Sequence, residues 1–411
     1  MDSITIFFLC LLLTWFLFQA LNSIRNERKS SKSKLPPGPW LKPIFGNLFD
    51  LGDKPHRSLA TLAQIHGPVM TSQHHEYGLP WIPVSPLWRT LRKVCNIHLF
   101  TSMKLDANEY LRRHKIQELI AKVGENCLKG EAINIGQDAF DTTINLLSNT
   151  IFSVDLVDPN SSNAQEFKKI VFCDIMMEAG RPNLADYFPL LRKFDPQGVQ
   201  RRMTVHSDKL LNLFGSMIDE RLQSRKSRDL TTSNDVLDIF LDIIEGEELN
   251  KTHIQHLLLF HLSYASISII KETFRMHPVV PLLLRRRADS DANLCGFKIP
   301  KGSQVLINVW AIGRDPSIWD NPNSFIPDRF LGSEIDVKGR DFGLIPFGAG
   351  RRICPGLPLA NRMLHLMLGS LINYFDWKPE GEISPNEMNM EEKYRMAVHM
   401  ATPLRAIPLL V

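Results

Sequence analysis

The chain has 411 residues, 44% of them hydrophobic and 22% charged, which supplies a sizeable buried core and excludes a disordered or fibrous protein. Forty-eight basic against 44 acidic residues leave a net charge of +4, too mild for a nucleic-acid binder. Six cysteines, at positions 10, 95, 127, 173, 295 and 354, form no CxxC pair, which argues against a disulfide scaffold or a paired-cysteine zinc site and for a reducing compartment.

The first 21 residues hold one almost wholly apolar run, ITIFFLCLLLTWFLFQAL from Ile4 to Leu21, close to the length of a bilayer-spanning helix. A basic n-region and a small-residue cleavage site are missing, and the basic residues Arg25, Arg28, Lys29, Lys32 and Lys34 come after the run. That order predicts an uncleaved anchor with the rest of the chain on the cytosolic side. Residues 1–24 therefore read as a membrane anchor and 25–40 as a basic, proline-rich linker. In the linker LPPGP makes a stiff extended joint, and 41–411 form the globular part.

Trp88 and Arg92 lie one helical turn apart in PLWRTLRKV. Phe140–Phe152 and Val199–Lys226 read as helices, the second with Leu210, Leu213, Phe214, Met217, Ile218 and Leu222 on one face. Asp141, Thr142 and Thr143 read as ordinary residues of the first. In KETFRMHP, Glu272 and Arg275 share a helix face and can pair. The same E-x-x-R spacing at Glu109, Glu178 and Glu392 predicts only solvated ion pairs. LLLRRRADSD gives a basic turn. CGFKIPKGSQVLINVW, Cys295 to Trp310, carries the β signal, with a type I turn expected on Ile299–Gly302. Leu359–Phe375 returns to helix, its Met363, Leu364, Met367, Leu371 and Phe375 recurring as a core stripe.

Between these lies PFGAGRRICPG, Pro346 to Gly356. A thiolate is a strong ligand for iron, and it must keep its charge to ligate. Cys354 sits where the helix begins, and free backbone N–H groups with the helix dipole favour an anion there. Gly348, Gly350 and Gly356 allow close approach to a flat ligand, and Arg352 can pair with a carboxylate on it.

Phe347-x-x-Gly350-x-Arg352-x-Cys354-x-Gly356 resembles the haem-binding signature of the cytochrome P450 family. The resemblance implies a mainly α fold with a small β part, haem b (iron protoporphyrin IX) as cofactor, and Cys354 as the axial ligand of its iron. It implies that Phe347, Gly350 and Gly356 shape the haem loop. Arg352, Trp88 and Arg92, with one arginine of the basic turn, would hold the propionates. Arg286 matches best, with Arg285 and Arg287 as alternatives. Glu272, Arg275 and, in FIPDRF, Arg329 would form a buried structural network, although this chain has Asp328 where the family usually has Glu. Within the family, HHEYGLPWIPVSPLWR, NVWAIGRDPSIWDNP and DFGLIPFGAGRRICPGLPLA look like plant microsomal terpenoid hydroxylases of the geraniol hydroxylase kind. That implies O2 as co-substrate, a small lipophilic substrate and an endoplasmic reticulum membrane. Because no Gly-rich dinucleotide fingerprint is present, it also implies electrons from a separate NADPH-cytochrome P450 reductase.

Two stretches depart from the family pattern. Its oxygen-activating acid/threonine motif on a long central helix is absent, so no catalytic residue can be assigned. Only twelve residues, 260 to 271, separate Leu259 from Glu272, and 17 separate Met70 from Trp88. Internal deletions are therefore expected near 70/71 and 260/261, the first within the β lobe. The alternative is a catalytically inactive, truncated, membrane-tethered relative.

Overall fold

The computed structural model describes residues 36–37, 52–67, 69, 84–157, 167, 178, 194–226, 237, 268–384, 387–394 and 397–410. The expected anchor, most of the linker and both expected joins lie outside them. Among the described residues no helix is long and apolar enough to cross a membrane.

The first half is helical: α1 (Pro55–His66), α2 (Pro86–Val94) running into a π-helical turn Cys95–Leu99, α3 (Ser102–Ala107), α4 (Glu109–Lys129), α5 (Ile135–Phe152) and α6 (Val199–Lys226). Helix α5 starts five residues before the predicted stretch because Asn134 caps it, accepting from the Gln137 amide at 3.1 Å. Its Thr142 and Thr143 hydroxyls each bond back one turn, to Asp138 and Ala139 carbonyls at 2.8 Å, the ordinary helical role expected of them.

The second half alternates short pieces: α7 (Ser268–Met276), β2 (Arg286–Arg287), β3 (Ala292–Leu294), β4 (Phe297–Ile299), β5 (Gln304–Val305), α8 (Val309–Ile312), 3₁₀ turns Pro327–Phe330 and Gly350–Arg352, α9 (Leu357–Tyr374), β6 (Phe375–Pro379), β7 (Glu392–Lys393), β8 (His399–Met400) and β9 (Arg405–Leu410). With β1 (Ile133–Asn134), strands β9 and β6 form an antiparallel sheet in the order β1-β9-β6, registered Ile133 to Ala406 and Trp377 to Pro408. The pairs β2–β5, β3–β4 and β7–β8 are two-stranded.

Two local expectations are corrected. The turn sits on Pro300–Ser303, one residue later than the sequence suggests: the Ser303 amide donates to the Pro300 carbonyl at 3.1 Å, with Gly302 at φ 87°. The β signal stops at Val305, because the Asn308 side chain accepts from the Ala311 amide at 3.0 Å and starts α8. Local capping overrides β propensity there.

Among the described residues three apolar clusters make the core. The first joins α2, the π turn, α5 and α6 through Trp88, Leu99, Ile151, Leu210 and Phe214. A second joins α4, α5 and α9 through Leu119, Val123, Leu146, Met363 and Met367. The third joins α7, the 3₁₀ turn Pro327–Phe330, the cysteine loop and α9 through Phe274, Phe330, Phe347 and Ala360, with Trp319 between them. Leu359, at the start of α9, packs against the first and second.

Candidate functional site

The cysteine loop is shaped by its own backbone. The Gly348 amide donates to Ile345 at 2.9 Å, Ile353 to Gly350 at 3.1 Å, and Cys354 to Phe347 at 3.0 Å. Gly348 and Gly350 take φ 73° and 66°, a region that side-chain-bearing residues pay 1–2 kcal/mol or so to enter. The buried Phe347 ring meets Phe274 of α7 edge to face, centroids 5.4 Å apart. The loop is thereby keyed to the Glu272 helix. Helix α9 opens at Leu357 with Gly356 as its N-cap, and the Gly356 and Leu357 amides face the Cys354 sulfur.

Burial pushes the Cys354 thiol up, while those two amides and the Arg92 guanidinium pull it down. Arg92 stands on α2, whose N-cap Ser85 accepts from the Trp88 amide at 3.1 Å behind Pro86. That cap sets Trp88 and Arg92 on one face, and the Arg352 guanidinium lies over the Trp88 ring at 5.1 Å. Of the three neighbouring arginines, Arg286 is the one turned inward. It is half-buried on β2 and donates to the Arg352 carbonyl at 3.4 Å, whereas Arg285 and Arg287 are exposed. Burial lowers the pKa of Arg92, Arg286 and Arg352, and the Arg92 charge lowers both of the others further. Arg352 is also acted on by Asp289. The result is a concentration of positive charge beside the Cys354 thiol, assembled from α2, β2 and the cysteine loop, with Arg92 also acting on Cys95.

The Glu272 network is of another kind. Arg275 grips Glu272 with two parallel bonds, Nε to Oε2 at 2.7 Å and Nη2 to Oε1 at 2.8 Å, and both side chains are fully buried. Arg329 Nε and the Ile326 amide add bonds to Oε1 at 3.2 and 2.7 Å. Arg275 also donates to the Gly313, Pro322 and Ser324 carbonyls. Burial alone would raise the Glu272 carboxyl. The bonds from Arg275 and Ile326 outweigh it and hold the group below its usual range.

Of the other E-x-x-R copies, the arginines Arg181 and Arg395 lie outside the described residues, and the burial of Glu178 and Glu392 corrects the expectation that these carboxylates are solvated. Glu109 is exposed but pairs with Arg113 at 2.7 Å, while Arg112 is buried and donates to the Leu105 carbonyl. Glu178 is buried and holds Arg202 at 2.9 Å. Glu392 is buried among His56, Arg57 and His277. No spacing rule marks that last cluster, because its members are far apart in sequence. Cys95 was equally unmarked: it is fully buried in the π turn, and burial pushes its thiol to about 12.

Comparison with known proteins adds to this geometry. The cytochrome P450 family model matches residues 80–266 and 256–403. This chain belongs to the cytochrome P450 family. The P450 is 44% identical to geraniol 8-hydroxylase of Swertia mussotii over an alignment of 487 positions, covering 96% of this chain and 97% of that one. It is 41% identical to geraniol 8-hydroxylase of Catharanthus roseus over 498 positions, covering 99% of each. It is 44% identical to drimenol monooxygenase of Persicaria hydropiper over 471 positions, covering 92% and 93%. Membership makes this chain a P450 monooxygenase, a type that uses a haem iron, O2, a lipophilic substrate and a redox partner.

Proposed function

We propose that this P450 is a membrane-anchored haem-thiolate monooxygenase acting on a terpenoid, a small lipophilic alcohol of the geraniol kind. Its cofactor is haem b and its electrons come from NADPH through the microsomal reductase. The observation that carries the reading is the convergence of Trp88, Arg92, Arg286 and Arg352 on the loop of Cys354, from three separate elements. The donor set fits haem b. One thiol stands at a helix N-terminus beside amides and a guanidinium that favour its anion, and three crowded arginines suit a ligand bearing two carboxylates. Haem, when bound, supplies the chemistry of O2 activation and insertion of one oxygen atom. Cys354 would ligate its iron, and Arg92, Arg286 and Arg352 would neutralise the propionates, with Trp88 holding Arg352 in place. Phe347, Gly350 and Gly356 would shape the loop. Glu272, Arg275 and Arg329 would brace the same side. The relatives named for geraniol and drimenol support the terpenoid class. Residues 1–24 would tether the domain to the endoplasmic reticulum, facing the cytosol, with 25–40 as the linker and 41–411 as the enzyme.

A second reading, an internally truncated and inactive relative, is favoured by two findings. The alignment with the Swertia protein has 487 positions, 76 more than the 411 residues of this chain, so that relative carries residues with no counterpart here. The family match also falls into two pieces that overlap at 256–266, around the expected 260/261 join. Loss of the acid/threonine motif would remove the residues that guide protons to oxygen. A reduced, carbon monoxide-bound difference spectrum of the full chain tests the first step. A red-shifted Soret band supports thiolate ligation by Cys354, and its absence removes the haem-thiolate reading. Turnover of terpene alcohols with reductase then separates enzyme from inactive relative.

A further inference from the structure

Glu392 stands apart from the cysteine loop, yet it is one of the most heavily engaged carboxylates in the fold. It lies on β7 with 5% of its side chain exposed. Arg57 Nη2 donates to its Oε2 at 2.6 Å, and His56 Nε2 lies 3.5 Å from the same oxygen, both from α1. His277, one residue beyond α7, places Nδ1 3.1 Å from Oε1. His56 is fully buried, stacks on Tyr394 and meets the Trp310 ring edge-on. The Arg314 guanidinium lies over that ring at 4.0 Å. A buried carboxylate is tolerated only when so partnered. Here the partners come from the two ends of the described chain and its middle.

From His277 the chain runs directly to the cysteine site. The Val279 carbonyl accepts from Val398 at 2.7 Å, just before β8, so the β7–β8 hairpin holds this segment by backbone as well. The Pro281 and Leu282 carbonyls accept from Trp310 and Ile307, each at 3.3 Å. Leu283 then takes φ 48°, a left-handed conformation that costs a branched residue about 1–3 kcal/mol and persists only where its surroundings over-determine it. Its side chain lies 3.9 Å from where a Cβ on Gly348 would stand. Three residues on, Arg286 reaches the Arg352 carbonyl.

We propose that Glu392 is a positioning residue for the cysteine site: by clamping His277 against α1 and β7 it fixes the start of the 277–286 segment, so that Leu283 and Arg286 meet Gly348 and Arg352. The inference rests on the haem-binding reading for the role of Arg286.

Hydrogen–deuterium exchange of the full chain tests it without haem. In Glu392→Gln, which keeps shape and removes charge, amides in 279–287 exchange roughly tenfold faster, while those of α9 stay at the wild-type rate. His277→Gln removes one arm and gives a smaller rise in the same peptide; it carries the test if Glu392→Gln does not fold. In haem-loaded protein, Glu392→Gln and Arg286→Ala each speed haem loss, and the double variant stays within about twofold of the faster single one, the non-additivity of residues acting as a unit. An unchanged 279–287 peptide, equal acceleration in α9, or haem-loss rates that multiply overturns the inference. A wild-type chain that takes up no haem sinks the haem-binding reading instead, and the exchange comparison still decides this one.

Discussion

Two arginine-rich clusters, linked through the contact of Phe347 with Phe274, are built on opposite principles. Around Glu272 every charge is answered: the carboxylate receives Arg275, Arg329 and the Ile326 amide, and the spare donors of Arg275 go to carbonyls. Around Cys354, Arg92, Arg286 and Arg352 press their charges on one another. A network satisfied from within the chain braces a fold. A concentration of like charge persists at the expense of stability, and is expected where a ligand of opposite sign completes it.

Breaking the satisfied cluster has the largest effect. Arg275→Ala leaves Glu272 buried and unpaired, and we expect about 3–5 kcal/mol of lost stability, seen in thermal unfolding as loss of the cooperative transition. The next largest effect needs no charge change. A Cβ on Gly313 would lie 2.2 Å from the Arg275 carbonyl oxygen, a backbone atom that cannot swing away. Gly313→Ala should therefore cost about 1–3 kcal/mol or more, lowering the melting temperature through the same brace.

pH sharpens the contrast. Because folding lowers the Glu272 pKa from its ordinary 4.5, its contribution is fully present above that value and fades as pH falls through the folded value. The melting-temperature gap between wild type and Glu272→Gln should be constant near neutrality and shrink below about pH 4.5. A gap that widens in acid would reverse the sign of this argument. The smallest effect on stability belongs to the cationic cluster. Arg286→Ala relieves repulsion in the haem-free chain, so its melting temperature should hold or rise slightly. Haem affinity, measured by titration, should fall roughly tenfold, the worth of one charge-assisted bond. A haem-free melting temperature that drops as far as that of Arg275→Ala would mean that the two clusters are alike after all.

Much of the site was legible in the chain because its signals are local. The glycines, the cysteine and the helix start lie within eleven residues, and Trp88 and Arg92 within one helical turn. The i,i+3 spacing of Glu272 and Arg275 was equally plain. The same spacing misled at Glu109, since spacing permits a pair without excluding a better partner, and at Glu392 it gave no sign that the carboxylate is buried. Arg113 holds the first, and His56, Arg57 and His277 the second.

The sequence by itself determined the helix Val199–Lys226, the glycine-rich cysteine loop and the core stripe of α9, because each follows from φ preference or periodicity over a few residues. The tertiary structure alone decided which of Arg285, Arg286 and Arg287 turns inward, where the β signal ends, and that Glu392 is buried. Those outcomes depend on burial and on partners brought from as far as 335 residues away, and no local pattern carries that information.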